Sequence, residues 1–193
     1  MVLSANRLSS TTSAVSNRGV ALHALFVCTG NICRSPIAER LAIAYAVRLH
    51  IQDFSASSAG TRAVIGHPIH PNAARVLEQR GGDACNYAAR QLKPKMTADA
   101  DVILTMTSAH RNAVLELAPH QLARTFTLIE AARLISECGA QNLANLAKLR
   151  PHLAPRGDLD IPDPIGQTPA VFEAVGGQIA DLLPPILGLC QRS

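Results

Sequence analysis

Short apolar runs alternate with helical patterns along most of this chain. The runs at residues 24–27, 54–60, 101–106 and 124–129 have the length and composition of buried strands. Each is followed by a segment whose apolar residues recur three and four positions apart, as on one face of a helix. Because a helix between two strands brings the chain back to the end where the first strand began, the strands are predicted to pair in parallel. The pattern therefore predicts an α/β fold, a four-stranded parallel sheet with helices on both faces.

The chain of 193 residues fits a single domain, which we place at residues 21–193. Residues 1–20 are rich in serine and threonine and contain no acidic residue, so we expect a disordered tail, although an organelle transit peptide has the same composition. Residues 140–167 are rich in proline and are predicted to be irregular. An irregular segment of that length inside a compact domain is often functional.

Composition argues against two classes of partner. The net charge is +4, but the chain has no tryptophan and only 3% aromatic residues, so it lacks a platform for stacking bases and we expect no nucleic-acid partner. No run of about 18 apolar residues is present, and Pro184 and Pro185 interrupt the apolar C-terminal stretch, so we expect no membrane partner. The five cysteines are odd in number and lack the spacing of a zinc site, which indicates neither a disulfide framework nor a structural metal and favours the cytoplasm.

The segment that joins the first strand to the first helix reads CTGNICRSP, from Cys28 to Pro36. Cys28 ends the strand, and ligands of open α/β folds bind at the carboxyl ends of the strands. Gly30 and Asn31 tolerate left-handed backbone angles, which a loop that turns its amides inward requires. The following helix N-terminus favours negative charge. The segment therefore predicts a loop that binds a phosphate or a similar oxyanion after strand 1.

The same loop carries residues suited to phosphoryl chemistry. A positive surrounding favours the thiolate form of a cysteine, and a thiolate beneath a bound phosphate, here Cys28, is an in-line nucleophile. Arg34 offers a bidentate clamp for two phosphoryl oxygens. Ser35 can donate a hydrogen bond to the thiolate, although a serine before a proline can also simply cap a helix. A lone cysteine is usually a small buried residue, but Cys-x5-Arg-Ser between a strand and a helix favours catalysis.

A leaving oxygen needs a proton, which a carboxylic acid can supply. The irregular segment contains three candidates, Asp158, Asp160 and Asp163. Residue chemistry alone leaves all three open, and their spacing also fits a solvated turn or a weak metal site.

The segment from Cys28 to Pro36 closely resembles the phosphate-binding loop of the low-molecular-weight protein tyrosine phosphatases. The resemblance extends from about Ala24 to Leu187 and includes the segments at 58–61, 89–92, 101–111 and 160–164. It implies a two-step hydrolysis through a phosphocysteine on Cys28, with Arg34 as the phosphate clamp and neither a metal nor another cofactor. The family places its general acid in an Asp-Pro pair, which implies Asp163. The remaining residues of the loop are then expected to bind substrate: Thr29, Gly30, Asn31, Ile32, Cys33 and Ser35.

The chain departs from the family pattern in two places. In the family a histidine before Ala-Arg-Gln helps to support the loop, together with residues that match Asn31 and Ser58, but Tyr87 stands there and a rearranged network is expected. The aromatic residue that commonly follows Asp-Pro is replaced by Ile165, and the segment around Val64 offers no ring either. Recognition of an aromatic substrate is therefore expected to be looser.

A phosphorylated protein is the expected partner, and we favour phosphotyrosine. The related arginine phosphatases have threonine where this chain has Ile32, and an apolar residue suits an aryl ring better than a guanidinium. Arsenate reductase is a further alternative, but it relays a disulfide through cysteines after the third strand, and residues 101–124 contain no such pair. Binding without hydrolysis is less favoured because nucleophile, clamp and acid are all present. The family implies a reversible disulfide between Cys33 and Cys28; a small buried residue is the alternative role for Cys33.

Overall fold

Four parallel strands form the centre of the molecule. The computed structural model describes residues 22–155 and 157–190, so the predicted tail at 1–20 lies outside the described residues. The strands are β1 (Leu22–Cys28), β2 (Phe54–Gly60), β3 (Val102–Thr105) and β4 (Thr125–Thr127). They pair in the order β2-β1-β3-β4, every pair parallel. The predicted sheet is confirmed, and β1, which carries Cys28 at its carboxyl end, lies inside it with a partner on each side.

Helices cover both faces of this sheet. They are α1 (Arg34–Arg48), α2 (Pro71–Gln79), α3 (Pro94–Ala98), α4 (Ser108–Leu117), α5 (Leu128–Ser136), α6 (Leu143–Leu149) and α7 (Pro169–Cys190). Alternate residues of β1 enter two separate apolar cores. Ala24 and Phe26 join the larger core, to which α1, α2, α5 and α7 contribute, whereas Leu25 and Val27 pack with Val114 of α4. Burial on both faces is expected for a parallel strand, and it confirms the predicted three-layer arrangement.

Part of the segment predicted to be irregular is helical. Residues 143–149 form α6, and a 3₁₀-helix follows at Arg150–His152. Asn142 caps α6 by accepting a hydrogen bond from the amide of Asn145 at 3.0 Å, and Leu146 is fully buried. The nearby prolines led to a prediction of irregular structure. Tertiary packing, which the local sequence pattern does not show, stabilises so short a helix more than intrinsic propensity does. Among the described residues after α6, the irregular part is therefore shorter than predicted and comprises 153–155 and 157–168.

Two details of the helices are set by the structure and not by local sequence alone. The cap of α4 is Thr107, whose hydroxyl accepts a hydrogen bond from the amide of His110, and not Ser108. Pro184 and Pro185 lie inside α7, which continues to Cys190. Burial of the residues that flank the two prolines favours this continuation.

Helix α7 is long and apolar enough, by length and composition alone, to cross a membrane. One of its sides nevertheless faces the protein, where Phe172, Val175 and Ile179 are buried. This side packs against α1, α2 and α5. The apolar character of α7 is therefore accounted for, on that side, by its place in the core.

Candidate active site

The loop between β1 and α1 turns its carbonyl groups outward. Each carbonyl of residues 28–32 accepts a hydrogen bond of 2.8 to 3.1 Å from a surrounding segment. The donors are, in order, the amides of Thr61, Arg62 and Val64, the hydroxyl of Tyr87 and the amide of His70. The amides of residues 30–33 donate to no other described residue. Amides left in this way on the inner side of a loop form a nest for an anion.

Asn31 alone provides the left-handed backbone of this loop, with φ of 56°. The expectation that Gly30 shares this conformation is wrong, since its φ is not positive. Asn31 is fully buried, and its side-chain amide donates to Ser35 Oγ at 2.9 Å and to Ser58 Oγ at 2.8 Å. These two hydrogen bonds fix the Asn31 side chain. Asparagine is also one of the amino acids that tolerate the left-handed backbone conformation.

The Cys28 thiol lies at the bottom of the loop, next to Ser35. Cys28 Sγ is 2.9 Å from Ser35 Oγ, and both residues are buried. Because Ser35 Oγ already accepts a hydrogen bond from the Asn31 side-chain amide, its own hydroxyl proton is free to point at the sulfur. Helix α1 begins at Arg34 with Cys33 at the cap position, so Ser35 is not the cap. This arrangement can stabilise a thiolate by a hydrogen bond.

Arg34 joins the loop to the segment that carries the aspartates. Its side chain is buried, with Nη1 donating to the Ile161 carbonyl at 3.0 Å and Nη2 to Asp163 Oδ2 at 2.6 Å. Its Nε is also buried and has no hydrogen-bond partner in the described part of the chain. A buried guanidinium with an unpartnered donor is suited to an oxyanion.

Of the three candidate aspartates, only Asp163 lines the cleft that contains Cys28 and Arg34. Asp160 accepts a hydrogen bond from the amide of Ser108 at 2.6 Å, and Asp158 accepts one from the amide of Asp160 at 2.9 Å. Asp160 therefore fixes the segment to the start of α4, whereas Asp158 stabilises a turn within the segment. Within residues 22–155 and 157–190, no cluster of three or more ligand side chains is suited to a metal ion.

The cleft has a volume of about 240 Å³, and the loop forms its floor. Its walls are Arg62, Val64, Asp163 and Ile165. No aromatic side chain is among these walls, as the sequence predicts. Arg62 was missed by sequence reasoning, and the available signal was its position just after β2, which pairs with the strand that ends in Cys28.

A buried hydrogen-bond network supports the loop from behind. The Tyr87 hydroxyl donates to the Asn31 carbonyl at 3.1 Å and lies 2.9 Å from Ser58 Oγ. Ser58 Oγ in turn donates to the carboxylate of Glu39, which sequence reasoning missed. Burial raises the pKa of Tyr87 above its ordinary value, and the charge of Glu39 raises it further. Tyr87 therefore stays a neutral phenol, and its hydroxyl supports the loop at the position where the family has a histidine.

A second polar contact reaches the loop from α4. His110 lies between Thr107 and Thr29. Its Nδ1 is 2.8 Å from the Thr107 hydroxyl, and its Nε2 is 2.8 Å from the Thr29 hydroxyl. Burial lowers the pKa of His110 to about 4, and the nearby Arg34 charge acts in the same direction. A neutral ring has one donor and one acceptor nitrogen, so His110 orients the Thr29 hydroxyl without adding charge.

Cys33 is buried in the same loop and contributes to the cleft. Burial raises the pKa of its thiol to about 12, and the neighbouring Cys28 and Asp163 raise it as well. Cys33 is therefore a protonated thiol at neutral pH. Its pairing with Cys28 in a disulfide stays a prediction.

Known proteins are similar to this chain in sequence and in fold. A family model described as low molecular weight phosphotyrosine protein phosphatase matches residues 23–191. Over 101 residues the chain is 39% identical to the low molecular weight protein-tyrosine-phosphatase Etp of Escherichia coli strain K12; this match covers 52% of the chain and 65% of that relative, just under two thirds of its length.

Two solved structures have the same fold over most of the chain. The low molecular weight protein tyrosine phosphatase from T. tengcongensis superposes with a TM-score of 0.70 and 27% identity, covering 86% of this chain and 97% of that one. The YwlE arginine phosphatase from Geobacillus stearothermophilus superposes with a TM-score of 0.66 and 28% identity, covering 86% and 90%. Since the family model matches most of the chain and the fold agrees, this chain belongs to the low molecular weight phosphotyrosine protein phosphatase family.

Proposed function

We propose that this protein is a metal-independent cysteine phosphatase that hydrolyses phosphotyrosine in proteins. One observation carries the proposal: the Cys28 thiol, the Arg34 guanidinium and the Asp163 carboxylate share one cleft, whose floor is a nest of amides. The free thiols of the described cysteines agree with a reducing cytoplasm, where we place the protein.

In the first step the phosphoryl group lies on the loop amides and on the Arg34 guanidinium. The Cys28 thiolate attacks phosphorus and forms the S–P bond as the bond from phosphorus to the tyrosine oxygen breaks. Asp163, protonated at this stage, gives its proton to the leaving oxygen. The products are a phosphocysteine, a neutral tyrosine and an Asp163 carboxylate.

In the second step water replaces the thiolate. The Asp163 carboxylate accepts a proton from the attacking water, which forms the new P–O bond as the S–P bond breaks. The sulfur leaves as a thiolate, and the hydrogen bond from Ser35, 2.9 Å away, stabilises its charge. Inorganic phosphate is released and Asp163 is again protonated.

The aliphatic walls of the cleft support an aryl substrate. Ile32, Val64 and Ile165 offer an apolar surface on which a phenyl ring can be buried. The tyrosine phosphatase Etp supports the same choice. A second candidate is the hydrolysis of phosphoarginine, which the similarity to the YwlE arginine phosphatase favours.

Peptides of one sequence that carry either phosphotyrosine or phosphoarginine separate these candidates. With EDTA present, we expect the phosphotyrosine peptide to release phosphate with a kcat/KM at least roughly tenfold higher than the phosphoarginine peptide. Val64 and Ile165 suit a phenyl ring better than a guanidinium, and the carboxylate in the cleft, Asp163, is already paired with Arg34. The opposite preference would establish the second candidate. Activity that EDTA abolishes would contradict a metal-independent mechanism.

Tyr87→Phe is expected to lower kcat for an aryl phosphate about two- to tenfold and the free energy of unfolding by about 1 kcal/mol, because the Asn31 carbonyl and Ser58 lose a partner. The matched control is Tyr45→Phe, whose ring lies against Arg48 on α1. Steady-state kinetics and thermal unfolding measure the two effects. A Tyr87→Phe enzyme as active and as stable as the control would show that the phenol does not support the loop.

A further inference from the structure

Arg62 places an unpaired positive charge at the mouth of the cleft. Its side chain is exposed, lines the same cleft as Cys28 and Arg34, and makes no hydrogen bond or ion pair with another described residue. The one carboxylate in the cleft, Asp163, is already paired with Arg34. The charge of Arg62 is therefore available to a ligand.

The backbone of Arg62 is held in a fixed position beside the loop. Its amide donates to the Thr29 carbonyl at 3.0 Å. The side chain of Gln91 holds both neighbours, accepting from the amide of Ala63 and donating to the carbonyl of Thr61, each at 3.0 Å. These hydrogen bonds fix the backbone from which the Arg62 side chain extends at the mouth of the cleft.

The position of Arg62 separates its role from that of Arg34. Arg34 is buried under the phosphate nest, whereas Arg62 lies at the outer wall next to Val64, which is itself exposed. A phosphoryl group on the floor would leave Arg62 facing the residues that flank the phosphorylated side chain. The other exposed wall residues are Val64 and Ile165, which are uncharged, and Asp163, whose carboxylate is paired with Arg34. Among the walls, Arg62 therefore carries the unpaired charge that these flanking residues meet.

We propose that Arg62 is a specificity-determining residue that selects phosphotyrosine sites flanked by aspartate or glutamate. This inference rests on the proposed phosphatase function and adds a substrate class to it. An acidic neighbour gains an ion pair with the guanidinium, and a basic neighbour is repelled by it. A pair of this kind is exposed to solvent, so its contribution is modest and falls with salt.

The test compares two phosphotyrosine peptides that differ only in having glutamate or lysine on both sides of the phosphotyrosine. The readout is the ratio of their kcat/KM values within each variant. We expect the wild type to prefer the glutamate peptide roughly three- to tenfold at low salt, with the ratio falling towards one at high salt. Arg62→Gln should bring the ratio close to one, and Arg62→Glu should invert it. Arg75→Gln, a change at an exposed arginine of α2, is the matched control and should keep the wild-type ratio.

A free aryl phosphate, measured in parallel, separates the two levels of the proposal. No hydrolysis of the aryl phosphate by folded wild-type enzyme would refute the proposed function itself. Hydrolysis of the aryl phosphate together with an equal peptide ratio in wild type and Arg62→Gln would refute only the role of Arg62. Thermal unfolding of each variant verifies that the comparison is made between folded proteins.

Discussion

Cys28→Ser is expected to lower kcat for an aryl phosphate by more than about a thousandfold, because a serine hydroxyl is not ionised at neutral pH and no base within the loop can activate it. The group next to the buried thiol is the Ser35 hydroxyl, 2.9 Å away. This hydroxyl can donate a hydrogen bond to a thiolate, but it is not a base that could remove the proton of a serine at position 28. The loss is therefore expected in the chemical step. Phosphate release from p-nitrophenyl phosphate measures it.

The same variant should keep its affinity for inorganic phosphate. The loop amides and the Arg34 guanidinium, which we propose bind the oxyanion, are unchanged by the substitution. Binding of phosphate by calorimetry should therefore be similar in Cys28→Ser and in the wild type. Cys85→Ser, which alters an exposed cysteine, is the control for the loss of any thiol. Hydrolysis that survives in Cys28→Ser would rule out the phosphocysteine mechanism.

Asp163→Asn is expected to lower kcat for phosphotyrosine by roughly a hundred- to ten-thousandfold, the usual contribution of a general acid. An amide keeps the size of the carboxyl group but cannot give a proton to the leaving oxygen. The loss should be much smaller with p-nitrophenyl phosphate, whose phenolate leaves readily without a proton. Comparing kcat for the two substrates therefore isolates proton donation from other effects of the substitution.

Asp158→Asn is the matched control for this substitution. Asp158 lies in the same segment, and its side-chain oxygen accepts a hydrogen bond from the amide of Asp160, which an asparagine oxygen can also do. Its kinetics should equal those of the wild type. If Asp163→Asn lost activity equally on both substrates, the residue would hold Arg34 in position and not act as an acid.

The parts of the site that are contiguous in the chain were predictable from the sequence. Cys28, Arg34 and Ser35 lie within one strand–loop–helix unit, where spacing alone decides which groups meet. The alternation of strands and helices predicted the sheet for a similar reason, since parallel pairing follows from the helical crossovers.

The parts that depend on distant segments were not predictable in the same way. Glu39 and Arg62 reach the loop through the pairing of β1 with β2 and the packing of α1, and neither has a local pattern that marks a role. Asp163 could not be separated from Asp160 by residue chemistry. The distinction comes from the anchoring of Ile161, whose amide donates to the Met106 carbonyl at 2.8 Å and so fixes which aspartate faces the cleft.

The outward carbonyls of the loop have a consequence for how turnover ends. Because hydrogen bonds from outside hold every one of these groups, the nest does not need a substrate to assemble it. A preformed nest of this kind is complementary to the phosphate oxyanion and makes no contact that depends on the leaving group. Under the proposed mechanism, freed inorganic phosphate would compete with each new substrate, and the rate of catalysis would fall as the enzyme's own product accumulates.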